Sequence, residues 1–421
     1  MLRKLASLNS HRLCSVSFRS ITTKTQHNAK PDGPLEPGGP LDELTRTFVP
    51  PKEFAEYIQD AGINYFAGVP DSLLKDFCAY LTENVPAENH VITANEGAAI
   101  GLAAGYHLAT KGFAMAYLQN SGLGNTINPL LSLTDSRVYS IPMLLLIGWR
   151  GEPGKKDEPQ HIVQGAVMNS ILASCSIPFE ILPDYLDGAK AAVDTAVHYM
   201  STRQAPYALI VKRQTFDKYK LKLAPPLHIL SREEAIAEAM DWVPSSGIVV
   251  ATTGMASREL YEIRKLNGER AGRDFLTVGS MGHASAIALG IALQKPNRSV
   301  YCLDGDGSVL MHMGTMGTIV ETNALNFKHI IMNNGAHDSV GGQPSAGRMI
   351  NFANVGAELG YKWHRRVSTK EELQAGMQEL SEVSGPALLE IMINCGGRAN
   401  LGRPKESPKE NKALFMEFLS E

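Results

Sequence analysis

Cysteine is scarce in this sequence, and the five it has do not cluster. Cys14, Cys78, Cys175, Cys302 and Cys395 form no CxxC pair, so neither a zinc site nor a disulfide framework is indicated. Excess charge of one sign is also missing: the formal net charge is −3, which gives no reason to expect a nucleic-acid partner. Nor is there an apolar run of the kind that makes a secretory signal core or a membrane span. With 421 residues, 20% charged and 44% hydrophobic, the chain reads as a soluble globular protein with room for two or three domains.

One further absence is local. The first thirty residues contain no Asp or Glu, yet they hold Arg3, Lys4, Arg12, Arg19, Lys24 and Lys30 among many Ser and Thr. Leu2, Leu5, Leu8, Leu13 and Val16 line one side of a weak basic helix. This is the composition of a mitochondrial transit peptide, which predicts a matrix protein; a disordered basic tail on a cytoplasmic protein is the plainer alternative. "PDGPLEPGGPLDE" follows, a Pro/Gly-rich linker over 31–44.

Beyond it, helical and strand-like stretches alternate. "INYFAGVP", "HVITAN", "FAMAYLQN", "IPMLLLIGW" and "APYALIVKR" read as strands, with "EGAAIGLAAGYHLATKG" as a small-residue helix between two of them. The rhythm restarts at "SREEAIAEAMDWV", which opens on a Ser-x-x-Glu capping box. "GIVVATTG", "SVYCLDGDG", "KHIIMNNGA" and "PALLEIMIN" are its strands. The expected fold is α/β, with two doubly wound parallel-sheet domains at 45–205 and 226–400. A connection over 206–225 joins them, no third domain lies between them, and a polar tail with a short helix follows at 401–421.

Ligands of open parallel sheets bind beyond the carboxyl ends of the strands. Asp304, Asp306 and Asn334 all fall at such ends, and Asp306 and Asn334 are 28 residues apart. That span fits one crossover: a Gly-rich turn, the helix "GTMGTIVETNAL" beginning at Gly314, and a return strand. A carboxylate, an amide oxygen and a backbone carbonyl suit Mg²⁺ on a diphosphate, and the amides of "GDGS" favour phosphate.

The pair resembles the thiamine-diphosphate motif, GDG followed by a terminal NN. The resemblance implies that Asp306, Asn334 and the backbone carbonyl of Ala336 are metal ligands. It also implies that Gly305, Gly307 and Ser308 lie against the cofactor, with Thr253 of "TTGMASREL". It further requires a carboxylate on the aminopyrimidine ring, and Glu96, opening the Gly/Ala-rich helix, holds that position; helix capping is its plainer role. "VGSMGHASAIALGIAL" resembles the loop that grips the pyrimidine, with Gly279 giving a carbonyl and Met281 bending the cofactor.

"GVPDSLLKDF", "NSGLGNTINPLLSL", "GWRGEPGKKDEPQHIVQG", "TTGMASREL" and "MNNGAHDSVGGQPS" resemble the phosphonopyruvate decarboxylases. The resemblance runs from about residue 50 to residue 395. It implies decarboxylation of 3-phosphonopyruvate to phosphonoacetaldehyde through an ylid and an enamine, in phosphonate biosynthesis. It also implies a homo-oligomer, with Glu96 of one subunit reaching the cofactor held by Asp306 of another. Asp71 matches a catalytic aspartate or caps the next helix, and His161 is catalytic or an ordinary loop histidine. Arg150, Lys155, Lys156, His337, Ser339 and Gln343 are the candidates for the phosphonate; a solvated loop is the alternative for the two lysines. Three rivals stay open: a sulfopyruvate decarboxylase, a related thiamine enzyme that transfers the activated aldehyde, and a non-catalytic subunit of the same fold.

Overall fold

The computed structural model describes residues 47–222, 225 and 227–421. The transit-like leader and the Pro/Gly-rich linker lie outside them. Six parallel strands make the first sheet: β1 (Ile63–Gly68), β2 (His90–Ile92), β3 (Phe113–Gln119), β4 (Leu144–Gly148), β5 (Phe179–Ile181) and β6 (Tyr207–Val211). They are ordered β2-β1-β3-β4-β6-β5. In the second half come β7 (Ile248–Ala251), β8 (Asp274–Leu276), β9 (Val300–Gly305) and β10 (Phe327–Asn333). A two-residue hairpin of β11 (Ala336–His337) and β12 (Gln343–Pro344) follows, and then β13 (Trp363–Val367) and β14 (Ala387–Met392). The second sheet runs β13-β14-β10-β9-β7-β8. Read from its other edge it is β8-β7-β9-β10-β14-β13, the same topology as the first sheet, strand for strand.

Each sheet is covered on both faces, which is why its central strands are apolar throughout rather than alternating. All five residues of β4 and all seven of β10 are buried. Side chains still segregate with period two. Phe66, Met115, Tyr117, Leu144 and Leu146 share one core, while Tyr65, Ala67, Ala116, Leu145 and Ile147 join the other. The edge strand β13, "WHRRV", is more polar and alternates in exposure, as an uncovered edge allows.

The capping box at Ser231 forms as the sequence predicts, with the Ser231 side chain and Glu234 bonded reciprocally. Two expectations need correction. The GDG segment is no extended turn leading to a helix at Gly314, because a short helix, Asp306–Met311, starts at once from Gly305, before the helix Gly314–Thr322. The polar tail is also part of the second half: its final helix, Pro408–Ser420, sets Phe415 and Phe418 into the core against Phe275. Among the described residues, no helix is long and apolar enough to cross a membrane.

Phe415 is 3% exposed, with its ring 5.5 Å from that of Phe275. Replacing a buried Phe by Ala costs about 3–5 kcal/mol. Phe415→Ala is therefore expected to lower the unfolding free energy from urea titration by about that much, whereas an unchanged midpoint would show that the helix adds nothing to the core.

Candidate active site

The carboxyl ends of the two sheets face each other within the chain. A narrow cleft between them is lined by Ile92, Thr93 and Ala94 from the first half and by Gly307, Leu310, His337, Ser345 and Ala346 from the second. The Asn95 side chain donates across it to the Met311 carbonyl (3.4 Å). The helix that begins with Glu96 thereby meets the end of the helix that begins with Asp306.

Asp306 is 3% exposed. Burial pushes its carboxyl up to about 6, opposed by the Ser345 hydroxyl and by the amides of Gly307 and Asn334. These partners are neutral, and none of them supplies the charged form with a counter-charge. Gly347 is needed here for space: a Cβ on it would sit 2.3 Å from Asp306 Oδ2. The adjacent asparagine, Asn333, is fully buried and braces the turn, donating to the Gly347 carbonyl (2.9 Å) and to Glu390 Oε1 (2.7 Å) while accepting from Gly335 N–H (3.1 Å). Gly335, at φ +63°, turns the chain after the asparagine pair. Asn334 is half-buried, and its Oδ1 accepts from the Ala336 N–H (3.1 Å).

Glu96 does not cap its own helix. Asn95 does, accepting from Ala98 N–H at 2.9 Å. The Glu96 carboxylate is left to accept from Asn125 Nδ2 (2.7 Å) and is 5% exposed, with burial raising its pKa. A Cβ on Gly122 would lie 2.1 Å from it.

Asp71 is fully buried. Its carboxylate holds the turn before the helix Lys75–Asn84 by accepting from Leu73 N–H at 2.9 Å, but it is not the cap of that helix. Burial pushes it up to about 6, against the pull of the Leu73 amide and of Arg150 nearby. Arg150 is committed to two residues. Its Nε and Nη2 clamp Asp157 (2.9 and 2.5 Å), and its Nη1 donates to Ser72 Oγ (2.8 Å). His161, 8% exposed, sets Nδ1 3.0 Å from Asp157 Oδ1, while Nε2 lies 3.5 Å from Gln119 Nε2. With Nδ1–H donating to Asp157, Nε2 is the basic nitrogen. Burial lowers the His161 pKa, partly offset by Asp157. Burial works against the charged form of Asp157, yet bonds from Arg150, His161 and two backbone amides hold its carboxyl far below the ordinary range.

In the second half, Met281 and the His337 ring both lie against Gly307, and burial lowers the His337 pKa to about 4. Ser308 Oγ accepts from Thr252 Oγ1 (2.9 Å) and Gly282 N–H (3.1 Å); Thr253 is half-buried beside it in the turn after β7. Gly279 packs on Gln160 of the first half. Gln343 is fully buried and donates to the Lys75 carbonyl (3.3 Å). Lys155, Lys156 and Ser339 are exposed and are not brought to the cleft.

Sequence reasoning passed over Asp157, Asn125 and Ser345. Only Asp157 carried a signal, standing four residues before His161 at the start of the helix Pro159–Ser174. The residues present fit a Mg²⁺-diphosphate. A buried carboxylate among neutral donors and a side-chain amide oxygen are hard ligands, and Gln160 Oε1, His312 Nε2 and Gln343 Oε1 are buried without a protein partner.

Asp71 yields a pH test. Its folded pKa is about 6 against an ordinary 3.8, so the folded state holds the proton more tightly. The stability this contributes is full below about pH 4, falls as pH rises through about 6, and is gone above that. Asp71→Asn cannot ionise, so it is expected to be more stable than the wild type at pH 7.5, by about 3 kcal/mol. Urea unfolding from pH 4 to 8 should show that gap closing on acidification; a gap independent of pH would contradict the assignment.

Two domain families match the chain: thiamine pyrophosphate enzyme, N-terminal TPP binding domain, over residues 52–171, and thiamine pyrophosphate enzyme, C-terminal TPP binding domain, over 252–391. The phosphonopyruvate decarboxylase of Streptomyces hygroscopicus is 33% identical over 86% of this chain and 91% of its own length. That of Streptomyces viridochromogenes is 33% identical over 85% and 92%. The sulfopyruvate decarboxylase of Methanosarcina acetivorans is 27% identical over 88% and 97%. Each of the two carboxyl-end faces described above falls within one of these domain matches, and the chain belongs to the phosphonopyruvate decarboxylase family of thiamine-diphosphate-dependent carboxy-lyases.

Proposed function

We propose that the substrate is 3-phosphonopyruvate and the products are phosphonoacetaldehyde and CO₂, within 2-aminoethylphosphonate biosynthesis. The observation that carries this reading is the 33% identity to two phosphonopyruvate decarboxylases over nearly the full length of each, against 27% to the sulfopyruvate enzyme. Sulfopyruvate decarboxylation is the second reading, since sulfonate and phosphonate are near-isosteric anions.

When bound, thiamine diphosphate supplies a carbanion at its thiazolium C2, which lets a 2-oxo acid lose CO₂. The chain's own residues would hold and serve it. Asp306, the Asn334 amide oxygen and the Ala336 carbonyl would hold Mg²⁺, while Gly305, Gly307, Ser308 and Thr253 would border the diphosphate. Gly279 and Met281 would border the pyrimidine ring. Glu96, with its proton affinity raised by burial, would exchange a proton with that ring. Asp71, near 6, suits proton delivery to the product carbon at neutral pH. His161, its tautomer fixed by Asp157, offers Nε2 as the partner base.

Arg150, His337 and Gln343 would meet the phosphonate as pre-positioned groups, Arg150 at the cost of sharing its charge with Asp157. Lys155, Lys156 and Ser339 would have to swing in with their loops. A homo-oligomer is proposed as the working unit. Its support is Ile162 and Val163, 58% and 68% exposed on the helix that carries His161. The composition of residues 1–30 supports import into the mitochondrial matrix.

With Mg²⁺ and thiamine diphosphate present, aldehyde formation should be fastest from phosphonopyruvate in a panel with sulfopyruvate and pyruvate. A preference for sulfopyruvate would keep the site and discard the substrate. Glu96→Gln should retain cofactor affinity by calorimetry while turnover falls about 10²–10⁴-fold; near-normal turnover would remove Glu96 from the chemistry.

A further inference from the structure

Asn334 spends almost every polar group it has. Its N–H supports the Asp306 carboxylate, and its carbonyl accepts from the Cys395 thiol (3.2 Å). Its Nδ2 donates to Asp338 Oδ2 (2.7 Å), and its Oδ1 accepts from Ala336 N–H (3.1 Å). A carbonyl-type oxygen has two lone pairs and an amide nitrogen two N–H groups, so Oδ1 keeps one lone pair for a further ligand, beside one on the backbone carbonyl and one N–H on Nδ2.

A side-chain amide can sit either way round, and its neighbours decide which. Here they decide it twice over. Ionised, Asp338 can only accept, and the Ala336 N–H can only donate. Turning the amide by half a rotation would set Oδ1 against a carboxylate oxygen and Nδ2 against an N–H.

Asp338 is itself held. The same Oδ2 accepts from Arg232 Nη1 (2.9 Å) and Gly396 N–H (2.9 Å). Arg232 is 6% exposed and gives its other nitrogens to Glu259 (2.8 and 3.1 Å) and to the Gly396 carbonyl (3.3 Å). Glu259 is 1% exposed. A chain of charge-assisted bonds therefore runs from the helices Arg232–Asp241 and Met255–Leu266 to one asparagine side chain.

We infer that Asp338, anchored by Arg232 and Glu259, is a positioning residue that keeps the Asn334 amide oxygen turned toward the cation and so sets how tightly Mg²⁺ is held. The inference rests on the reading of Asn334 as a metal ligand. An ion cluster that only ties the hairpin to the two helices would look similar in static geometry, but it would act on folding rather than on the cation. Groups that orient metal ligands typically alter metal affinity 10- to 100-fold when removed.

The test is calorimetric titration of thiamine diphosphate into full-length apoprotein at a series of Mg²⁺ concentrations, alongside the melting temperature of the apoprotein. Asp338→Ala should raise the Mg²⁺ needed for half-saturation of cofactor binding about 10- to 100-fold. Asp338→Asn retains an acceptor oxygen and should stay within a few-fold of wild type. If the alanine variant fails to fold, Asp338→Ser replaces it, polar but one bond too short to meet the amide. An unchanged Mg²⁺ requirement with only a lower melting temperature would overturn the inference, as would an asparagine variant as weak as the alanine one. If cofactor binding by the wild type needs no Mg²⁺, the metal reading falls and this inference with it, a result distinct from either variant outcome.

Discussion

A carboxylate buried among neutral donors is the constraint on which this structure turns. Asp306 sits where β9 becomes a helix, with hydroxyl and amide partners and no cationic side chain among them. Burying an unpaired charge is costly, and a protein meets that cost by shifting the pKa or by supplying a counter-charge. The upward shift is the apoprotein's response; a divalent cation on a diphosphate, were it held here, would be the holoprotein's. The surrounding choices follow from keeping that carboxylate in place: Gly347 for close approach, Asn333 and Glu390 bracing the turn, and Ser345 in direct contact.

The two halves use one topology for different electrostatic ends. Because both sheets are parallel and identically ordered, both present their carboxyl ends and helix N-termini on one side. In the second half that face holds a carboxylate suited to a metal. In the first, burial raises the pKa of both Glu96 and Asp71, that of Asp71 to about 6, while bonds from Arg150 and His161 hold Asp157 ionised. Carboxyls with separated proton affinities in one site are the usual arrangement for dividing acid, base and charge roles.

Much of this was legible in the sequence because the signals were local. Strand termini, the glycines flanking Asp306 and the NN pair are read within a few residues, and the crossover length joins them. The edge strands β5, β8 and β13 were not singled out, since short half-exposed strands lack a continuous apolar run. The final helix was expected to be polar because its two core positions, Phe415 and Phe418, gain meaning only from Phe275 far upstream. Non-local pairs were the main blind spot. Arg150 read as a free cation because its partner, Asp157, is recognisable only once the loop has folded. Arg232, Glu259 and Asp338 are 27 and 106 residues apart in the chain and carry no motif.

The unpaired polar atoms point the same way as the charges. An unsatisfied buried donor or acceptor costs roughly 1–3 kcal/mol, so a fold keeps one only where something else meets the need. Gln160 lies against Gly279, and the His312 ring lies beside Gly282, so two of them flank the loop that carries Met281. Gln343 belongs to the hairpin that carries His337 against Gly307. Gln164 Oε1, Asn169 Oδ1, Arg273 Nε and His329 Nε2 are also unpaired among the described residues, so these three stand out by their place beside the loops that carry Met281 and His337 and not by their number. A bound ligand with polar groups of its own would meet the need of these three, and it would do so at the loops that border the cleft.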